Sequence, residues 1–294
     1  MQFGDLFIQF LSGLTRGMVL FLLASGLSLI FGALRVVNFS HGSFYMLAAF
    51  VAYSVVQYFS QFPSGNFWLA LLIAPLVIAA LGWLVETLLF RRVYRRDASY
   101  QLLLTYGLVL MGSDTVKLIW GEAYRSIKRP TALAWSFAVF DRPFPAYDAF
   151  LILVAATLGL GLWALLYRTK LGQIIRAVLH DRHMVSAMGV NVPALYSLVF
   201  ALGCWLAAFA GGLYAPMGSI GLDMDINIIV ECFAVVVVGG LGSISGALLG
   251  ALIIGEVYAF GILVMPRAAL AMIFIVMIVV LILRPHGLLG TAER

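Results

Sequence analysis

The chain has 294 residues, of which 63% are hydrophobic and 11% charged, with a formal net charge of +5. Soluble globular domains are about half apolar and a quarter charged, so this composition excludes a soluble fold and points to the bilayer as solvent. The positive charge is split into clusters between apolar runs, the pattern of cytoplasmic loops rather than of a nucleic-acid surface.

The first apolar run, residues 6–34, lacks the basic region and small-residue cleavage site of a signal peptide and is expected to be a retained helix. Further runs cover residues 42–59, 67–90, 100–120, 148–167, 193–216, 227–239, 247–264 and 268–283. Crossing the hydrocarbon takes about 20 helical residues. Residues 42–59 are marginal on that measure and residues 227–239 too short, which leaves eight or nine crossings open, with broken or re-entrant segments among them. Runs that are continuously apolar, without short alternating strands, exclude a β-barrel. The expected fold is therefore an all-α polytopic membrane bundle forming one transmembrane domain over residues 1–294. Cys204 and Cys232 lie inside apolar runs and read as packing residues.

Basic loops set the expected orientation. Arg91, Arg92, Arg95 and Arg96 form the densest cluster, and Arg168, Lys170, Arg176 and Arg182 the next; Arg284 follows the last run. Residues 60–66 and 217–226 carry no Lys or Arg, as an outer face should. Residues 121–147 run against the pattern with Arg125, Lys128, Arg129 and Arg142. The balance puts the C-terminus in the cytoplasm and the N-terminus outside.

Three polar interruptions carry functional signal. The first is Asn38, Ser40, His41 and Ser43 between two long apolar helices. Such backbone is tolerated at membrane depth only where protein or a water-filled cavity satisfies it, so the segment reads either as a broken helix facing a pathway or as a loop reversing the chain. The second is the glycine cluster from Gly239 to Gly246. It lacks the Lys of a Walker loop, and Ser245 stands where a dinucleotide fingerprint needs Gly or Ala. Gly242, Gly246 and Gly250 are four apart and, if helical, make a small-residue packing face. The two interruptions share a polar turn ending in glycine, a faint internal repeat of the kind that duplicated transporter halves show.

The third interruption, residues 167–193, is amphipathic. A surface helix is expected over residues 171–178 and a second short one over 180–189, closed by Gly189 and followed by Pro193 in the first turn of the next helix. It reads as a solvated loop or as a docking element for a cytoplasmic partner. His180 and His183 lie three apart without the carboxylate or cysteine company of a metal site.

Charges inside the apolar runs each cost about 2.5–3.5 kcal/mol at a helix centre, so each needs a reason. Asp114 and Lys117 can neutralise each other on one face. Arg16 and Glu256 lie deep in their runs, Glu86 near the cytoplasmic end, and Glu231 near the outer end of its short run; Glu231 or Glu256 is expected to face protein or water. No arrangement of nucleophile, base and orienting acid emerges, so an enzyme is not expected.

Together three blocks resemble a known family. Gly26, Leu27, Ser28, Leu29, Ile30, Phe31 and Gly32 lead to Val37, Asn38, Phe39, Ser40, His41 and Gly42. Leu171, Gly172, Gln173, Ile174, Ile175, Arg176 and Ala177 lead to Ala187, Met188, Gly189, Val190 and Asn191. The third block runs from Gly239 to Ala247. Their types and order resemble the LivH-type permease of branched-chain amino acid ABC importers, over almost the whole chain. The resemblance implies a homologous LivM-like permease as partner in a heterodimer, two cytoplasmic ATPases that bind the ATP and magnesium, and a periplasmic solute-binding protein. This chain itself would hold no cofactor and sit in the bacterial inner membrane.

It further implies that the Asn38–Ser43 turn flanks the translocation pathway, which is expected to take in Asn38, Ser40, His41, Gly42, Ser43, Glu231, Gly240, Gly242, Ser243, Ser245 and Glu256. The ATPase-docking segment, about residues 168–192, would act through Arg176, Asp181, Met184, Ala187, Met188 and Gly189. LivH-like sequences commonly carry a lysine at the position of Glu231, which widens the expected solutes from branched-chain amino acids to amides, urea and aromatic acids. The alternative is a stand-alone ion-coupled secondary transporter or channel, which has less need of the polar segment 167–193.

Overall fold

The computed structural model describes residues 3–61, 65–94 and 96–290. Arg95 of the basic cluster and the side chain of His180 lie outside the described part. The main helices are α1 (Phe3–Leu34), α2 (His41–Tyr58), α3 (Asn66–Val85), α5 (Ala98–Trp120), α6 (Ala146–Arg168), α9 (Val192–Tyr214), α10 (Met224–Gly239), α11 (Ile244–Val264) and α12 (Ala269–Leu283). A π-helical turn, Glu86–Phe90, carries α3 into a last short turn, α4 (Arg91–Val93), while α7 (Lys170–His180) and α8 (Arg182–Ala187) fill the polar segment after α6. Among the described residues, seven helices are long and apolar enough to cross a membrane. The other two main helices, α2 and α10, fall outside that set and are the ones whose runs are marginal and short in the sequence.

Helix α1 is the axis of the bundle, packed on α6, α9, α10 and α11, while α2 and α3 lie against α9. Small residues allow these contacts, as they do generally where lipid offers no hydrophobic drive to association. A Cβ on Gly26 of α1 would lie 2.6 Å from the Gly203 carbonyl oxygen of α9, and one on Gly17 would lie 2.9 Å from the Ala251 carbonyl oxygen of α11. The backbones therefore cross almost in contact.

The connection between α5 and α6 contains a hairpin, β1 (Ser136–Val139) with β2 (Arg142–Pro145), paired antiparallel with Val139 opposite Arg142. Its Phe140 ring meets Phe3 and Phe7 of α1 at 5.3 and 5.1 Å. The arginines that run against the charge pattern in this connection have partners: Arg142 with Asp5 at 2.8 Å, Arg129 with Asp148 at 3.8 Å, and Arg125 with the Trp120 carbonyl at 2.8 Å. A bridge between Arg125 and Ile220 joins the connection to the one between α9 and α10.

Candidate solute pathway and cytoplasmic docking segment

Arg16 on α1 and Glu231 on α10 meet inside the bundle. One guanidinium nitrogen of Arg16 donates to both carboxylate oxygens of Glu231, at 2.6 and 2.8 Å. The Tyr258 ring of α11 lies under the guanidinium at 3.5 Å, a cation–π contact. Neither charge could stand alone at this depth, so each explains the other. Glu231 sits in the middle of α10 rather than near its outer end as expected from the run, because the helix begins three residues earlier, at Met224.

Two cavities of about 150 and 140 Å³ flank the pair. Both are lined by Arg16, Tyr214, Ile228 and Glu231, so the ion pair stands between them. Ser219 and Asp223 reach the first cavity and Met217 the second, which places both toward the end of the bundle where α9 connects to α10. The Nε of Arg16 is buried with no hydrogen-bond partner.

The helix break between α1 and α2 is present, and it is enclosed by protein. Arg35 ends α1 in the left-handed region at φ 55°, and its N–H donates to the Phe31 carbonyl at 2.8 Å. Asn38 Oδ1 accepts from the Ser40 amide and hydroxyl at 3.1 and 2.6 Å, and His41 Nε2 lies 3.1 Å from the Leu23 carbonyl oxygen. Asn38, Ser40, His41 and Ser43 are all buried. The Ser43 hydroxyl donates to Asp225 of α10 at 3.2 Å, and Ser113 of α5 donates to the same oxygen at 3.3 Å. Gly42 packs on the Asp225 backbone. None of these turn residues lines the two cavities beside Arg16. They tie α2, α5 and α10 together at one level.

The glycine cluster forms the turn from α10 to α11, with Gly240 at φ 107° and Gly242 at φ 79°. The expected helical face of Gly242, Gly246 and Gly250 is corrected: Gly242 lies in the turn, since its positive φ cannot continue a helix, and only Gly246 and Gly250 face α10. Ser243 caps α11 by accepting from the Gly246 amide at 3.0 Å, and Ser245 is exposed. The tail after α12 folds back here, with Leu288 and Leu289 donating to the Val238 and Gly239 carbonyls. Glu256 lines neither of the two cavities beside Arg16. Both its oxygens are buried without a partner, where α11 faces Gly13 of α1.

The segment after α6 is two capped surface helices. Thr169 caps α7 through the Gly172 amide at 3.1 Å, and Asp181 caps α8 through the His183 and Met184 amides at 2.8 and 3.0 Å. Those hydrogen bonds, Met184 first and His183 second, hold the Asp181 carboxyl below the usual aspartate range. Val185 is the buried anchor of α8, while Met184 and Met188 are 64% and 78% exposed. Ala187 is exposed beside them, Gly189 turns the chain at φ 85°, and Asn191 caps α9 through the Ala194 amide. Arg176 of α7 lies over the Tyr167 ring at 4.8 Å.

One cluster is invisible to sequence reasoning. Glu86, fully buried at the π-helical turn, accepts from the Tyr94 hydroxyl at 2.9 Å and from the Ser197 hydroxyl of α9. Arg91 reaches Glu86 at 3.4 Å and Ser197 at 2.6 Å. Glu86 is legible as a charge near a basic helix end; its partner on α9 is not. Among the described residues no group of three or more His, Cys, Asp or Glu could hold a metal ion.

Comparison with known proteins adds to this geometry. Residues 9–283 match the family model described as the permease component of the branched-chain amino acid transport system. The high-affinity branched-chain amino acid transport permease protein BraD of Pseudomonas aeruginosa is 29% identical, covering 97% of this chain and 96% of that protein. The probable branched-chain amino acid transport permease protein LivH of Methanocaldococcus jannaschii is 31% identical, covering 92% and 89%. The permease protein LivM of Salmonella typhimurium is 26% identical, covering 94% of this chain and 68% of that protein.

Proposed function

The chain belongs to the family of branched-chain amino acid transport permeases, and from that premise we propose that it is the LivH-like subunit of an ATP-driven importer. It is a multi-pass membrane protein whose relatives are transport permeases rather than enzymes. In this reading it pairs with a LivM-like permease, to which it is itself similar in sequence. Two cytoplasmic ATPases bind ATP and magnesium, and a periplasmic binding protein delivers the solute: a branched-chain amino acid or a related small polar molecule such as an amide, urea or an aromatic acid. The single transmembrane domain then reorients by alternating access, with the C-terminus inside and the N-terminus outside.

The observation that carries the coupling is α8. A six-residue helix fixed at both ends by caps, anchored by Val185, presents Met184 and Met188 to solvent. A soluble face that apolar suits a groove on another protein, since flexible methionines pack well against such surfaces. Asn191 hands the segment directly to α9, which packs on α1, α2 and α3. Movement imposed on α8 is thereby passed to the middle of the bundle. In this reading the pathway runs through the cavities beside Arg16 and Glu231, with the Asn38–Ser43 and Gly240–Ser245 turns as the joints of the helices that frame it.

The test is Met184→Glu with Met188→Glu in the assembled transporter in proteoliposomes. Both side chains are exposed, so the variant folds. ATP hydrolysis should continue while solute uptake falls by about tenfold or more, since two anchors of a small contact are lost. Uptake tied to hydrolysis as in the wild type would remove α8 as the docking element.

A further inference from the structure

We propose that Arg16 and Glu231 form a recognition site for zwitterionic α-amino acids, Arg16 taking the carboxylate and Glu231 the ammonium group. The inference rests on the permease reading above and names the solute chemistry of that pathway. Its basis is the way the pair is built. Arg16 presents five N–H donors, yet a single nitrogen serves Glu231, and the buried Nε has no partner among the described residues. The guanidinium plane is held by Tyr258 rather than by a second carboxylate, so it stays in place when its ionic partner changes. A planar fork with spare donors is the group that grips a carboxylate best. Among the described residues Glu231 accepts from Arg16 alone, leaving lone pairs for an ammonium group.

Net charge makes the site selective. Breaking a buried ion pair by removing one partner is costly, because the other charge is left uncompensated. A zwitterion that enters between the two replaces one salt bridge by two, and no charge is stranded. An amine without a carboxylate strands Arg16, and a carboxylate without an amine strands Glu231. The two small cavities on either side of the pair provide room for the remainder of the solute, with Val19, Leu20 and Ile228 offering an apolar wall in the second. Their volumes, about 150 and 140 Å³, suit a single amino acid and not a peptide.

Two arms test this. In the first, Ser219→Cys places a thiol at the exposed rim of the first cavity. The native Cys204 and Cys232 are fully buried, so they stay silent. Alkylation of this thiol in the membrane-embedded permease, without binding protein, should be slowed by leucine and not by leucinamide or 4-methylpentanoate. Equal slowing by all three, or by none, overturns the proposal. In the second, Arg16→Glu is combined with Glu231→Arg, which keeps an ion pair and reverses its polarity. The double variant should reach the membrane at wild-type level and lose leucine uptake by about tenfold or more, the loss of at least one charged hydrogen bond. Wild-type uptake would show that the pair only holds helices together. Absence of uptake by the wild-type assembly would instead count against the permease reading itself.

Discussion

The Ser197 hydroxyl of α9 donates to the buried carboxylate of Glu86, 111 residues away, at the π-helical turn where α3 ends. Arg91 bridges the two and also reaches the Pro193 carbonyl at 3.3 Å. The first turn of α9 is thus tied to the end of α3 immediately after the chain leaves α8. A π-helical turn is uncommon and often marks a working position in a helix. Here it aims Glu86 inward across the start of α9.

Removing the acceptor should be felt. Glu86→Ala leaves the Tyr94 hydroxyl without its acceptor and Arg91 without its carboxylate, while Ser197 keeps the Pro193 carbonyl, and is expected to cost about 1–3 kcal/mol. Glu86→Gln keeps an acceptor and should cost less. Thermal unfolding of the purified protein in detergent reads both, and equal midpoints for Glu86→Ala and wild type would contradict the assignment.

The helix crossings make a sharper contrast. A Cβ on Gly203 would lie 2.6 Å from Ile30 Cδ1 and 2.9 Å from the Gly26 carbonyl oxygen, whereas one on Gly161 meets nothing within 4 Å. Gly203→Leu should abolish stable assembly in the membrane. Gly161→Ala should be neutral, and both are read from the amount of protein recovered folded.

Much of the fold was legible because apolar runs of spanning length define helices almost by themselves. The ends of α5 and α11 fall within a few residues of the runs, and α2 and α10, whose runs are marginal and short, are the two helices left out of the seven candidate spans. What escaped depends on contacts between distant residues. Glu231 is readable as a buried charge, but Arg16, 215 residues earlier, becomes its partner only once α1 and α10 are packed together. The break at Asn38 was readable as well. That Asn38 Oδ1, His41 Nε2 and Ser43 would be spent on Ser40, Leu23 and Asp225, while Asn38 Nδ2 and His41 Nδ1 find no partner among the described residues, could not be told from their spacing.

Asp181 gives a pH dependence outside the membrane. Its pKa is depressed by the amides it caps, so its contribution to α8 is fully present above the unfolded value of about 3.9 and is lost as pH falls through the lower, folded one. At neutral pH the cap is intact. Hydrogen exchange of the α8 amides should quicken in Asp181→Ala and stay near wild type in Asp181→Asn, since Asn also caps well. Identical rates in all three would mean that the cap does not hold the helix.

The orientation has its own check. A membrane-impermeant thiol reagent should label Ser219→Cys from the periplasm and Met188→Cys only after the cytoplasmic face is exposed. Labelling of both from one side would contradict the proposed placement of α8 opposite the cavities beside Arg16.

Solute accumulation in proteoliposomes tests the dependence on a separate motor most directly. The chain alone should accumulate nothing, even under an ion gradient, and uptake should appear only when the second permease, the ATPases and the loaded binding protein are supplied with ATP. Accumulation by the isolated chain would contradict the account and turn it into a self-sufficient carrier.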